Sequence, residues 1–157
     1  MRRMFSRALL VCAIVTVAAY GADNSRGIWK MNLAKCKYTP GPIPLKKYMV
    51  TREAARGGVK VTILGERTDG TIINATYRAK FDGSATAVEG RGAPYDTVSI
   101  KQVDANTFTY EMKKTGGKYQ ASGRMEVSKD GRTFTMMSTG TDGDGNPMSM
   151  TLVTEKQ

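Results

Sequence analysis

The sequence predicts an all-β fold: a single antiparallel up-and-down β-barrel of about eight to ten strands. Three observations carry this expectation. Asp-Gly or Gly-Gly pairs recur along residues 46–156, at Asp69-Gly70, Asp82-Gly83, Gly116-Gly117, Asp130-Gly131 and Asp142-Gly143. Such pairs favour the positive-φ backbone of tight hairpin turns, whose twist matches the strands they join. The segments between them alternate apolar and polar residues, the period of a half-buried strand. A meander this long must close or stack to protect its edges.

The elements follow in order. Residues 22–26 are a polar lead-in. Gly27-Ile28-Trp29-Lys30-Met31 reads as the first strand and holds the chain's one tryptophan. Residues 32–46 contain Pro40, Pro42 and Pro44, which cannot sit in a central strand, so this stretch is an extended crossing loop with a short helical turn around 33–37. Residues 47–53 form a short mixed strand. Val59, Val61 and Ile63 then alternate with Lys60, Thr62 and Leu64. Ile73, Ala75, Tyr77, Ala79 and Phe81 alternate with Asn74, Thr76, Arg78 and Lys80.

Residues 84–88 read as a weak strand and 90–94, GRGAP, as a loop. The remaining strands cover 95–103, 107–115, 118–128, 132–140 and 148–155. Their apolar faces are Val98 and Ile100; Phe108, Tyr110 and Met112; Tyr119, Ala121, Gly123, Met125 and Val127; Phe134 and Met136; and Met148, Met150 and Leu152. Val153 falls on the polar side of the last strand. No linker divides the chain, so residues 22–157 read as one domain.

Residues 1–21 read as an export signal. Arg2, Arg3 and Arg7 form a basic leader, and 8–19 is an apolar run too short to span a bilayer stably. Ala19-Tyr20-Gly21 supplies the small residues of a cleavage site, placing the cut after Gly21. The expected location is exported, periplasmic or extracellular, with no stable membrane span after processing. Cys36 alone of the two cysteines survives that cut, so no internal disulfide is expected.

The chain carries a formal net charge of +10 and no histidine. The Lys and Arg are scattered one or two per strand, as on a solvated outer face. No aromatic-basic platform is present, which argues against nucleic-acid binding. The missing histidines remove Ser-His and Cys-His nucleophile pairs and the usual zinc and haem ligand sets. No cofactor, metal site or catalytic residue is expected, and the chain does not read as an enzyme.

The stretch GIWKMNLAKCKYTPGPIP, followed by YDTVSIKQVDANTFT and VSKDGRTFTM, resembles a group of small exported bacterial proteins of unassigned function that are described as lipocalin-like. The Gly-x-Trp on the first strand, the irregular crossing loop and the hairpin meander resemble the lipocalins and the wider calycin group. The resemblance spans Gly27 to Glu155. It implies that Trp29 is structural, packed across the closed barrel end beside a basic residue of the last strand. Lys156 lies near the right place, with Arg124 and Arg132 on earlier strands. The paired cysteines of many secreted lipocalins are missing.

A barrel of about eight strands leaves room for packed side chains or one small ligand. The inward residues expected to line such a pocket are Tyr77, Phe81, Tyr110, Met112, Met125 and Met136, with Ala79, Ala121 and Gly123 making room. Arg91 and Tyr95 are expected at a mouth loop. The expected function is an exported binding protein that holds a small, largely apolar molecule. The rival is an envelope protein-protein interaction module with a filled core.

Three further motifs read as ordinary surface features. Asp142, Asp144 and Asn146 resemble the start of a calcium loop, but Pro147 and Val153 stand where a glycine and an acid are needed. Asn74-Ala75-Thr76 matches a glycosylation acceptor in mid-strand. Gly90 and Gly92 flank Arg91 with no helix start after them, unlike a nucleotide loop.

Overall fold

The structure is a computed structural model that describes residues 22–157. The export signal read over 1–21 lies outside the described residues. Twelve strands are present: β1 Gly27–Met31, β2 Lys37–Thr39, β3 Leu45–Ala55, β4 Gly58–Arg67, β5 Ile72–Lys80, β6 Asp82–Ala87, β7 Glu89–Arg91, β8 Thr97–Asp104, β9 Thr107–Lys113, β10 Gln120–Val127, β11 Thr133–Thr141 and β12 Pro147–Lys156. A 3-10 turn at Leu33–Lys35 falls where the helical turn is expected. No helix among the described residues is long and apolar enough to cross a membrane.

Every ladder is antiparallel, in the order β6-β8-β9-β10-β11-β12-β1-β3-β4-β5-β7, with β2 on β12. The all-β antiparallel barrel is therefore the observed class. The strand number exceeds the expected eight to ten for two physical reasons. Residues 37–39 of the Pro-rich loop pair with β12. Residues 82–91 form two strands: β6 pairs with β8, and β7, which overlaps the start of the expected GRGAP loop, pairs with β5.

That segment also closes the barrel. It leaves the end of β5, runs up beside β8 and then changes partner to β5. Near the start of this segment, Phe81 donates its N–H to Gly57 and accepts from Gln102, tying the two sides of the seam. Gly83, at φ 83°, sits in the register shift where the chain enters β6. This backbone region favours glycine, so the Asp82-Gly83 pair marks a bulge rather than a hairpin.

The inward alternation holds on most strands. Val59, Val61, Ile63, Ile73, Ala75, Tyr77, Ala79, Val98, Ile100, Phe108 and Met125 are all buried in one core. Val153 is an exception: it is buried although it lies on the outer side. The 3-10 turn covers it. Asn32 donates its N–H to the Val153 carbonyl at 2.9 Å, and Val153 donates its own N–H to Cys36 Sγ at 3.3 Å. Cys36 thus fastens the crossing loop, and burial pushes its thiol pKa up. Thiol reagents are expected to label Cys36 much more slowly than free cysteine at neutral pH, because the thiolate is the reactive form. Stopped-flow labelling with a chromogenic disulfide measures this, and a rate equal to that of free cysteine would contradict it.

One pole of the barrel is closed. The lead-in residues fold under it: Asn24 donates its N–H to Ala105, and the Trp29 indole donates to the Ser25 carbonyl at 2.8 Å. Trp29 is fully buried, with its ring 5.3 Å from Phe134 and Lys156 Nζ 5.4 Å above it. The basic residue against the tryptophan is therefore Lys156, not Arg124 or Arg132.

Candidate functional site: the cavity at the open pole

The opposite pole is bounded by the Pro-rich loop, the β4–β5 turn and the loops 91–95, 114–119 and 142–146. A partly enclosed cavity of about 170 Å³ lies inside it. Its floor is apolar, made by Ile63, Ile73, Met112, Met136 and Leu152. Four tyrosines stand around it: Tyr38 from β2, Tyr48 from β3, Tyr95 from the loop before β8, and Tyr119 from the turn before β10. Tyr95 and Tyr119 have ring centroids 6.0 Å apart. Arg67 and Asp142 are the charged residues of the lining.

Each element is positioned by local chemistry. Asp142 is fixed by its turn, accepting N–H bonds from Asp144 and Asn146 at 2.9 Å each. The calcium-like 141–147 stretch is thus a self-satisfied hairpin turn. Tyr38 is brought over the cavity by the β2–β12 pairing, in which it faces Met150. Loop 91–95 is held by β7 on one side and by the Val88 N–H to Asp96 carbonyl bond on the other.

The sequence-derived site residues divide by depth. Met112, Met136 and Tyr95 line the cavity. Tyr77 and Met125 lie lower, around a separate void of about 10 Å³. Phe81 sits near the closed pole, its ring 5.2 Å from Phe108. Tyr110 is buried in the wall, where its hydroxyl donates to the Met137 carbonyl at 3.5 Å. Arg91 is exposed on β7 opposite Asn74, outside the lining.

Tyr38, Tyr48 and Tyr119 were not among the residues expected to line the pocket. Tyr119, Met148 and Met150 carried the signal of inward alternation. Tyr48 carried it too, as Tyr48-Val50-Arg52, but an arginine at an inward position obscured the period.

All six described tyrosines have phenol pKa values above the ordinary range, and burial is the largest cause for each. Tyr110 is raised to about 12. Unfolded phenols ionise near pH 10. Above that pH the unfolded chain has lost protons that the folded chain keeps, so stability falls as pH rises and is fully present below it. The urea midpoint is expected to fall between about pH 9 and pH 11. A flat midpoint over that window would show that the phenols are not protected by the fold.

No family model matches the chain, and no curated protein matches it. Solved structures do overlay on it. One is the structure of EF1p2_mFAP2b bound to DFHBI, with a TM-score of 0.48 at 11% identity over 85% of this chain and 94% of that one. Another is a redesigned β-barrel, mFAP1, bound to DFHBI, with a TM-score of 0.41 at 14% identity over 82% and 94%. Both overlays are loose, and the barrel assignment rests on the strand register described above.

Proposed function

We propose that this chain is an exported, lipocalin-like binding protein that holds one small, largely apolar molecule in the cavity at its open pole, without turnover. The observation that carries the reading is the cavity itself. The lower barrel is filled by large side chains such as Trp29, Phe108, Phe134 and Ile100, whereas the open pole keeps about 170 Å³ free. A cavity of roughly 150 Å³ accepts a benzene-sized molecule, which sets the ligand's scale at about one ring with short substituents. Apolar floors with a few convergent polar groups are the usual form of such sites. The methionines of the lining adapt to varied shapes. The rival, an interaction module, needs no cavity.

Binding without chemistry is supported by the lining, whose one acid, Asp142, has no acidic partner there. A general acid-base pair needs two groups positioned on one substrate. The proposed export rests on the basic leader and short apolar run of residues 1–21. N-terminal sequencing of exported protein is expected to start at or next to Ala22.

The test of the binding reading is a filled cavity. Ala93 lines the mouth, so Ala93→Trp is expected to cut affinity for single-ring apolar probes at least tenfold with the thermal midpoint kept. Calorimetric titration of a panel of substituted benzenes and indoles measures it. Failure of the parent to bind any of the panel, or equal binding by a folded Ala93→Trp protein, would favour the interaction module.

A further inference from the structure

We propose that the barrel floor beneath the cavity is an anion subsite centred on Arg52, so that the ligand is an apolar molecule bearing one negatively charged head, such as a carboxylate. This rests on the cavity being the ligand site, and it adds the chemical class of what enters.

Arg52 lies on β3 and is 3% exposed. Its Nε donates to Ser25 Oγ at 2.9 Å, and its guanidinium sits 5.1 Å from the centroid of Phe134 and 5.7 Å from that of Phe108. Its Nη2 has no hydrogen-bond partner among the described residues. Ser25 Oγ in turn donates to Asp23 Oδ1 at 2.5 Å, so the buried Asp23 carboxylate favours the charge from behind Ser25; its other oxygen lies 3.6 Å from Arg26 Nε, and neither oxygen bonds Nη2. A buried guanidinium nitrogen left without a partner is costly, and an anion that hydrogen-bonds it relieves that cost.

The Arg52 side chain borders a space. The void of about 10 Å³ is lined by Arg52 together with Tyr48, Tyr77 and Thr154. Thr154 already donates its hydroxyl to the Phe134 carbonyl at 2.9 Å. The two phenols remain as donors for a second oxygen beside the guanidinium, the arrangement that suits a carboxylate.

The void and the cavity share three lining residues: Tyr48, Met112 and Met136. The partition between them is therefore largely made of two methionines, which reorient about three torsions at small cost. A ligand's apolar body fills the cavity while its head passes this partition to Arg52. Polarity inside the barrel then runs from an aromatic mouth, through an apolar middle, to a cationic floor. The bland alternative is a void that serves only one bridging water.

Calorimetric titration of the full processed chain with ω-phenyl carboxylates, from benzoate to 6-phenylhexanoate, tests this against the alcohols of equal length. The alcohols are expected to bind. Acids long enough to reach Arg52 are expected to bind at least tenfold more tightly than their alcohols, while benzoate shows no advantage. Arg52→Met should remove the acid advantage and leave the alcohols unchanged. Tyr77→Phe, which keeps the shape and removes one donor, should reduce the advantage several-fold and serves if Arg52→Met does not fold. Equal binding of acids and alcohols by the parent, or an acid preference that survives in folded Arg52→Met, overturns the subsite while leaving the cavity reading intact. Binding of neither series overturns both.

Discussion

Replacing Trp29 by alanine is expected to destabilise the protein by about 3–5 kcal/mol, the usual cost of truncating a large buried aromatic. Here the loss has three parts. The indole fills the closed pole completely, its ring rests on Phe134, and its N–H satisfies the Ser25 carbonyl. With the ring gone, Lys156 also loses the aromatic face beneath its ammonium. For a domain of this size the thermal midpoint should fall on the order of 10–20 °C. Trp29→Phe should recover part of that, because it refills volume without restoring the N–H bond. Circular-dichroism melts decide the matter: an unchanged midpoint for the alanine variant would mean that the closed pole is held by something else.

An equally large effect is expected at Gly123. This residue pairs with Ser138 across β10 and β11. A Cβ there would overlap the Met137 carbonyl oxygen and lie 2.8 Å from the Ser138 Cα. Both are backbone atoms of the neighbouring strand, so neither can swing aside. Overpacking typically costs about 1–3 kcal/mol, and more where backbone must move. Gly123→Val is expected at or above the upper end, with loss of soluble protein. Gly143→Ala is the control, since a Cβ there meets nothing within 4 Å; its effect should stay within about 0.5 kcal/mol. A Gly123→Val protein with a parental urea midpoint would contradict the close approach.

Gly123 also shows what was legible and what was not. The alternation places it correctly between Ala121 and Met125 on the inner face. Alternation alone suggests that a missing side chain makes room for a ligand. The structure gives it another role, a point where two backbones come together, and that depends on barrel curvature, which no local pattern encodes. The hairpin glycines were legible because positive φ is a local property: Gly70, Gly116 and Gly131 adopt it. In the last hairpin it falls on Gly145 instead of Gly143, since the Asp142 side chain has drawn the turn around itself.

Depth along the barrel was the least legible quantity. Tyr77, Phe81 and Met125 belong to the inner face as strongly as Met112 and Met136 do. Which of them meets a cavity depends on how far along the axis each strand places it. That follows from the stagger of strands across the whole sheet. Arg52 was hidden for a different reason. A charged residue at an inward position reads as a break in the pattern, although the strand runs on through Arg52 to Ala55.

The lead-in under the closed pole gives the molecule a direction. Ala22 reaches Gln102 there, and Gln157 donates its N–H to Ile28 beside it. Both ends of the described chain therefore sit at one pole and the cavity mouth at the other. A tag, a fusion or a surface linkage joined ahead of Ala22 or after Gln157 leaves the mouth pointing away from its anchor. The barrel can be immobilised by either end as an oriented receptor. Trimming inward past Ser25 is different, because it would unpair the Trp29 indole and Arg52 in a single step.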